Sequence, residues 1–285
     1  MKVFQSLART PIEELIPLAA AAEEYGFDGV TLSDHLVRPL EVASRYPYSA
    51  DGRMAAPPET SYPDVWVAAG AIAQATRRLK ILTAVYVVPL RDPISVAKAL
   101  STAAVMSGGR MMFGVGLGWM REEFSLTGQA FANRGERTDE MLALINALMS
   151  PDFREHRGRH YDVPPLRMAP LPADRPPVIV GGHSGAALAR AARHDGWLGV
   201  NYPLAEVPRI LGELAMARAN APPRETPFEI ALAIDEPLTP DALARLASLG
   251  VTLAIHPPAT IPATQPDLAA RCGHLAQFAR LHGRG

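Results

Sequence analysis

Eight short aliphatic runs, each followed by a stretch of helical character, recur along this 285-residue chain. The runs are Val3–Leu7, Gly29–Leu36, Lys80–Val88, Met111–Gly118, Val178–Val180, Trp197–Asn201, Phe228–Ile234 and Thr252–His256. Between them lie helix-like segments such as Ile12–Tyr25, opened by Thr10 as N-cap with Pro11 as first helical residue, and Gly185–Arg193. Strands that alternate with helices pair in parallel, and eight such units close into a (β/α)8 TIM barrel. An open doubly wound sheet would leave two edges, and no run carries the prolines or charge clusters that protect an edge. The expectation is therefore one barrel domain over residues 1–285.

Three segments break the rhythm. Val37–Tyr62, after the second strand, and Ser150–Pro176, before the fifth, read as long irregular loops, and Glu122–Arg134 as a shorter one. Loops of this length are usually functional, so the two longer ones are expected to act as lids over a site.

A formal net charge of −1 argues against a general binder of nucleic acid or membrane surfaces. Cys272 is the single cysteine, which rules out an internal disulfide and a cysteine zinc cluster. No metal site is expected, and the lack of a signal-like or spanning segment makes a cytoplasmic location the expectation.

In a barrel of this kind chemistry sits where the strands end. Val178–Val180 runs into Gly181, Gly182, His183 and Ser184 and then an alanine-rich helix. Two glycines with a good N-cap residue make a seat for an anion at a helix start, or simply a tight strand-to-helix turn. Asp34 and His35 follow the second strand as an acid beside a group that titrates near neutrality, or as a cap on the strand end. Thr83-Ala84-Val85 is a bulge or a patch of small core residues. Gly114, Gly116 and Gly118 leave room for a flat ligand with Trp119 as a wall, or mark a barrel corner. This string is not a dinucleotide fingerprint, lacking its third glycine spacing and later acidic residue. Arg121, Glu122 and Glu123 read as a solvated charge run with one carboxylate capping a helix.

Several of these strings occur together in a familiar order: LSDH, RRLKILTAVYVVPLRDPISVAKALST, SGGRMMFGVGLGWMREEF, RGERTDEML and PPVIVGGHSGAALARAARHDGWLG. Over residues 1–200 the chain thereby resembles the luciferase-like monooxygenase superfamily, (β/α)8 barrels that use FMN or the deazaflavin coenzyme F420. GVGLGW-REEF and RGERTDE look most like its F420-dependent oxidoreductase branch.

The resemblance implies a cofactor at the barrel mouth. Asp34 would bond the ring or its neighbours, and His35 would carry the catalytic proton, its titration tuned by Asp34 and burial. Ala84-Val85 would form a bulge behind the ring, often with a non-proline cis peptide; Gly116 to Trp119, with Gly118, would run beside ring and ribityl chain. Gly181, Gly182, His183 and Ser184 would hold the phosphate. The implied activity is hydride transfer between F420 and a small organic substrate. The alternatives are an oxygen-activating FMN monooxygenase and, further off, a non-catalytic cofactor-binding protein. Some relatives carry a glutamate where this chain has Trp119, which counts against a sugar-phosphate dehydrogenase. A homodimer is expected by analogy.

Overall fold

The computed structural model describes residues 1–49, 51–54, 56–224, 226–258 and 267–284. Strands β1 (Lys2–Ser6), β2 (Gly29–Leu32), β3 (Lys80–Thr83), β4 (Tyr86–Val87) and β5 (Met111–Gly116) belong to one parallel sheet. A two-stranded hairpin, β6 (Arg154–Arg157) and β7 (Asp162–Leu166), stands apart from it. Strands β8 (Val178–Gly181), β9 (Gly196–Tyr202), β10 (Glu229–Ile234) and β11 (Leu253–His256) complete the sheet. The order is β3-β2-β1-β11-β10-β9-β8-β5-β4, and pairing of β3 with β5 through Ile81–Met111 and Leu82–Met112 closes it. Since β3 and β4 are halves of one broken strand, the result is the expected eight-stave barrel.

Helices α1 (Ile12–Glu24), α2 (Val65–Ala75), α3 (Pro93–Met106), α4 (Arg121–Leu126), α5 (Arg134–Leu148), α6 (Gly185–Ala191), α7 (Val207–Ala219), α8 (Pro240–Ser248) and α9 (Leu268–Leu281) flank it. Their starts follow from short polar side chains: Asp64, Asp92, Thr239 and Asp267 each accept a first-turn amide. At α1 the N-cap is Pro11 rather than Thr10, whose side chain is buried instead.

Two apolar layers hold the fold. Inside the barrel, Phe4, Leu82, Met112, Ile179, Leu198, Ala231, Leu253 and Ile255 form a plug. A larger layer between staves and helices includes Val30, Ile72, Leu100, Phe113, Ile145 and Trp197. Each large apolar side chain buried in this way contributes about 1.5–3 kcal/mol. No helix among the described residues is long and apolar enough to cross a membrane.

Several sequence expectations change. The second strand stops at Leu32, so Asp34 and His35 sit in the turn beyond it. Lys80–Val88 is not continuous: it breaks after Thr83, with a cis Ala84–Val85 peptide, and resumes at Tyr86. There the Thr83 hydroxyl donates to the Gly114 carbonyl at 2.6 Å, and the Ala84 amide to the Leu32 carbonyl at 2.6 Å. Glu122–Arg134 is not wholly irregular, because α4 occupies its start.

Ser150–Pro176 carries the β6–β7 hairpin, which Glu140 of α5 fastens by accepting the amides of His160 and Tyr161 and bonding His156 Nε2 at 3.1 Å. Burial pushes the Glu140 carboxyl up, but these bonds outweigh it and hold the group below the usual range. Val37–Tyr62 has neither helix nor strand among its described residues; Ala50 and Ala55 within it lie outside them.

Candidate functional site

Asp34 and His35 are neighbours in sequence but bind in different directions. Asp34, 6% exposed, receives Arg91 Nη1 and Nη2 at 2.5 and 2.7 Å and the Val87 amide at 2.8 Å. It thereby ties the turn after β2 to β4 and to the chain just beyond it. His35 places Nδ1 3.0 Å from Glu123 Oε2, while the Leu36 amide donates to Glu123 Oε1 at 2.8 Å. Glu123 is 1% exposed. The partner of His35 is therefore Glu123 and not Asp34, which the guanidinium has already claimed.

Nor is the charge run solvated as expected. Glu123 is buried, and Glu122 accepts the amides of Ala43 and Ser44 at 2.8 and 3.1 Å. Ser44 Oγ in turn accepts the Arg121 amide at 2.9 Å. Burial pushes the Glu122 carboxyl up, and its hydrogen bonds with Ser44 and Ala43 help to hold it below the usual range regardless. Helix α4 thus fastens the stretch His35–Ser44 at both of its ends.

The floor of the mouth is apolar. Ala84, Val85, Val200 and Ala233 rest, partly buried, on the inner plug. A Cβ added to Gly116 would lie 2.4 Å from Val85 Cγ2, and one on Gly181 2.6 Å from Val85 Cγ1. The side-chain space beside these two glycines is filled by Val85, so what they offer a ligand is main chain. Gly118 has φ +76° and would press a Cβ onto Val87 and Phe124.

Above the floor runs a line of aromatic rings. Tyr62 and Trp119 meet His35 edge-on at centroid distances of 4.9 and 6.1 Å. Tyr46 meets Trp119 at 5.2 Å, Tyr48 meets His183 at 4.6 Å, and His183 packs on Tyr202 at 4.3 Å. Asn201 Nδ2 donates to the Tyr48 carbonyl at 3.4 Å. The Val37–Tyr62 segment therefore lies across the mouth from Trp119 to His183.

At the β8–α6 corner Gly182 has φ +128°, its amide donates to the Leu198 carbonyl, and its carbonyl accepts Trp197 Nε1–H at 2.8 Å. Burial drives the His183 pKa down to about 4, so the ring is neutral, and its Nε2 accepts the Val200 amide at 3.4 Å. Ser184 Oγ accepts the Ala187 amide and caps α6. The Tyr202 hydroxyl is buried with no partner among the described residues, and burial pushes its pKa up, which keeps it a donor.

These features suit a flat cofactor with an anionic tail. The floor is apolar, an imidazole stands at one side, and the chain bends at Gly182 into the helix that Ser184 caps. Arg91, Tyr46, Tyr48, Tyr62 and Tyr202 carry this geometry without having been singled out in the sequence, and Glu122 and Glu123 were read there only as part of a solvated charge run. The one available signal was that three of the seven tyrosines fall in Val37–Tyr62.

A sequence profile described as luciferase-like monooxygenase matches residues 3–241. An uncharacterized protein of Mycobacterium tuberculosis is 35% identical over 283 residues, 98% of each chain. An F420-dependent glucose-6-phosphate dehydrogenase of Nakamurella multipartita is 34% identical over 190 residues, 65% of this chain and 51% of that protein. In structure, the monooxygenase RslO1 of Streptomyces bottropensis superposes with a TM-score of 0.77 at 18% identity, over 99% of this chain and 98% of its own. That likeness is one of fold. By the span of the profile match and the full-length mycobacterial relative, this chain belongs to the luciferase-like monooxygenase family.

Proposed function

We propose that this protein is an F420-dependent oxidoreductase that moves a hydride between the deazaflavin and a small organic substrate, with His35 moving the accompanying proton. The observation that carries the reading is the His35–Glu123 pair beside an apolar floor. Glu123 occupies Nδ1, and Nε2 has no partner among the described residues, so one ring nitrogen remains for substrate or cofactor. When bound, the cofactor supplies the hydride chemistry, and the protein supplies position and exclusion of water.

Ala84 and Val85 would support the ring, Trp119 would wall it, and Gly181 to Ser184 would hold its tail. A ring that reaches from Trp119 to His183 has to lift the Tyr46–Tyr48 arm, which then closes over it as a lid. The similarity to an F420-dependent dehydrogenase supports the choice of cofactor. Trp119 supports a substrate other than a sugar phosphate.

Titration of the purified protein with F420 and with FMN tests the reading. F420 binding at micromolar or tighter concentration, with weak FMN binding, is the expected result. Tight FMN binding without F420 binding would replace it with the oxygen-activating alternative. His35→Ala separates enzyme from carrier: turnover should collapse with cofactor affinity retained, and unchanged turnover would end the catalytic assignment.

A further inference from the structure

Glu123 spends its two carboxylate oxygens differently. Oε1 takes the main-chain amide of Leu36 at 2.8 Å and, at the limit of hydrogen bonding, that of Val37 at 3.5 Å. Oε2 takes His35 Nδ1 alone. Holding the turn requires the first oxygen only; the second is committed to the imidazole. An ionised carboxylate can only accept, so the bonded Nδ1 must carry the hydrogen, and in the neutral ring Nε2 must then carry a lone pair.

Among the described residues no other acceptor competes for the ring. Asp34, the adjacent residue, is held by Arg91 and the Val87 amide. Tyr62 and Trp119 bracket the ring edge-on, with interplanar angles of 76° and 81°, and oppose its rotation. A carboxylate that is 1% exposed also needs its partners, because a buried charge without them is costly.

We propose that Glu123 is a positioning residue that locks His35 in the Nδ1–H tautomer and so makes Nε2 the proton-accepting nitrogen at the barrel mouth. The inference rests on His35 as the proton carrier of the proposed reaction, but the tautomer is a property of the protein without cofactor. It therefore stands or falls separately from the redox reading.

Long-range proton–nitrogen NMR correlation on full-length protein with ¹⁵N-labelled histidine, at a pH where His35 is neutral, reads the tautomer directly. The expected result is a protonated Nδ1 and a bare Nε2. Glu123→Ala should convert His35 to the Nε2–H form or a mixture, and Glu123→Asp should restore part of the Nδ1–H signal. If the alanine variant does not fold, Glu123→Gln is read in the same way, since with its oxygen kept on the Leu36 amide its NH2 group faces Nδ1 as a donor and requires that nitrogen bare. With whichever cofactor binds, Glu123→Ala should lower kcat by about 10²-fold with KM little changed. A wild-type His35 protonated on Nε2, or a tautomer indifferent to substitution at 123, would overturn the proposal. Loss of all turnover in the wild type with an Nδ1–H His35 would sink the redox reading and leave this one standing.

Discussion

Arg91 grips Asp34 with both arms of its guanidinium, at 2.5 and 2.7 Å, and the Asp34 side chain is 2% exposed. The pair frees His35 to turn toward Glu123, and it also carries a stability cost if broken. Arg91→Met strands a buried carboxylate, and removal of one partner from such a pair costs about 3–5 kcal/mol. Denaturant unfolding of the variant measures this. A change below about 1 kcal/mol would show the pair to be solvated like a surface bridge.

Val85 is seated between Gly116 and Gly181. Gly181→Ala drives a new methyl to within 2.6 Å of Val85 Cγ1 and should destabilise by about 1–3 kcal/mol. Trimming the opposing residue removes the clash, so Gly181→Ala with Val85→Ala should be less destabilised than the sum of the two single variants. Strict additivity in a double-mutant cycle would contradict the contact.

Three histidines withdrawn from water, His256 fully and His183 and His194 in part, make the fold acid-sensitive. Burial lowers the pKa of His183 and His194 to about 4 and that of His256 to about 3, each from an ordinary value of 6.5. For His256 the nearby His274 and His282 add to the effect, and for His194 the Asp195 carboxylate opposes it. Between those values and 6.5 the unfolded chain holds more protons than the native one. The stabilisation is thus complete above pH 6.5 and drains as pH falls toward 4, at up to about 1.4 kcal/mol per pH unit for each group. Unfolding free energy measured from pH 7 to 4 should decline steeply. His183→Phe and His256→Phe should each flatten the slope.

Glu122 holds the amides of Ala43 and Ser44, which lie just before the Tyr46–Tyr48 arm. Glu122→Ala should loosen that arm while the barrel stays folded. Trypsin cleavage at Arg45 reports the opening, and each ~1.4 kcal/mol of lost local stability speeds it about tenfold if cleavage tracks the open population. An unchanged cleavage rate would mean that the Tyr48–His183 and Tyr46–Trp119 contacts hold the arm without Glu122.

The barrel was legible because burial on both faces of a parallel sheet writes itself locally, as runs such as Ile81–Thr83 and Met111–Phe113. The β6–β7 hairpin was not. Arg154–Arg157 is a polar run with no apolar alternation, and β7 contains Pro164 and Pro165, so nothing in either strand marks a sheet. Helix α4 was lost for a similar reason: six residues are too few to show a period.

By itself the sequence determined the architecture, the family resemblance and the positions of Asp34, His35, Ala84, Val85 and the Gly181–Ser184 turn, all of which are local patterns of residue type and spacing. Tertiary structure alone decided that His35 pairs with a glutamate 88 residues away, that Asp34 is spent on Arg91, and that a tyrosine arm spans the mouth. Whether a charged side chain is solvated or buried depends on what the closed barrel brings beside it. That information lies between distant segments and not within any one of them.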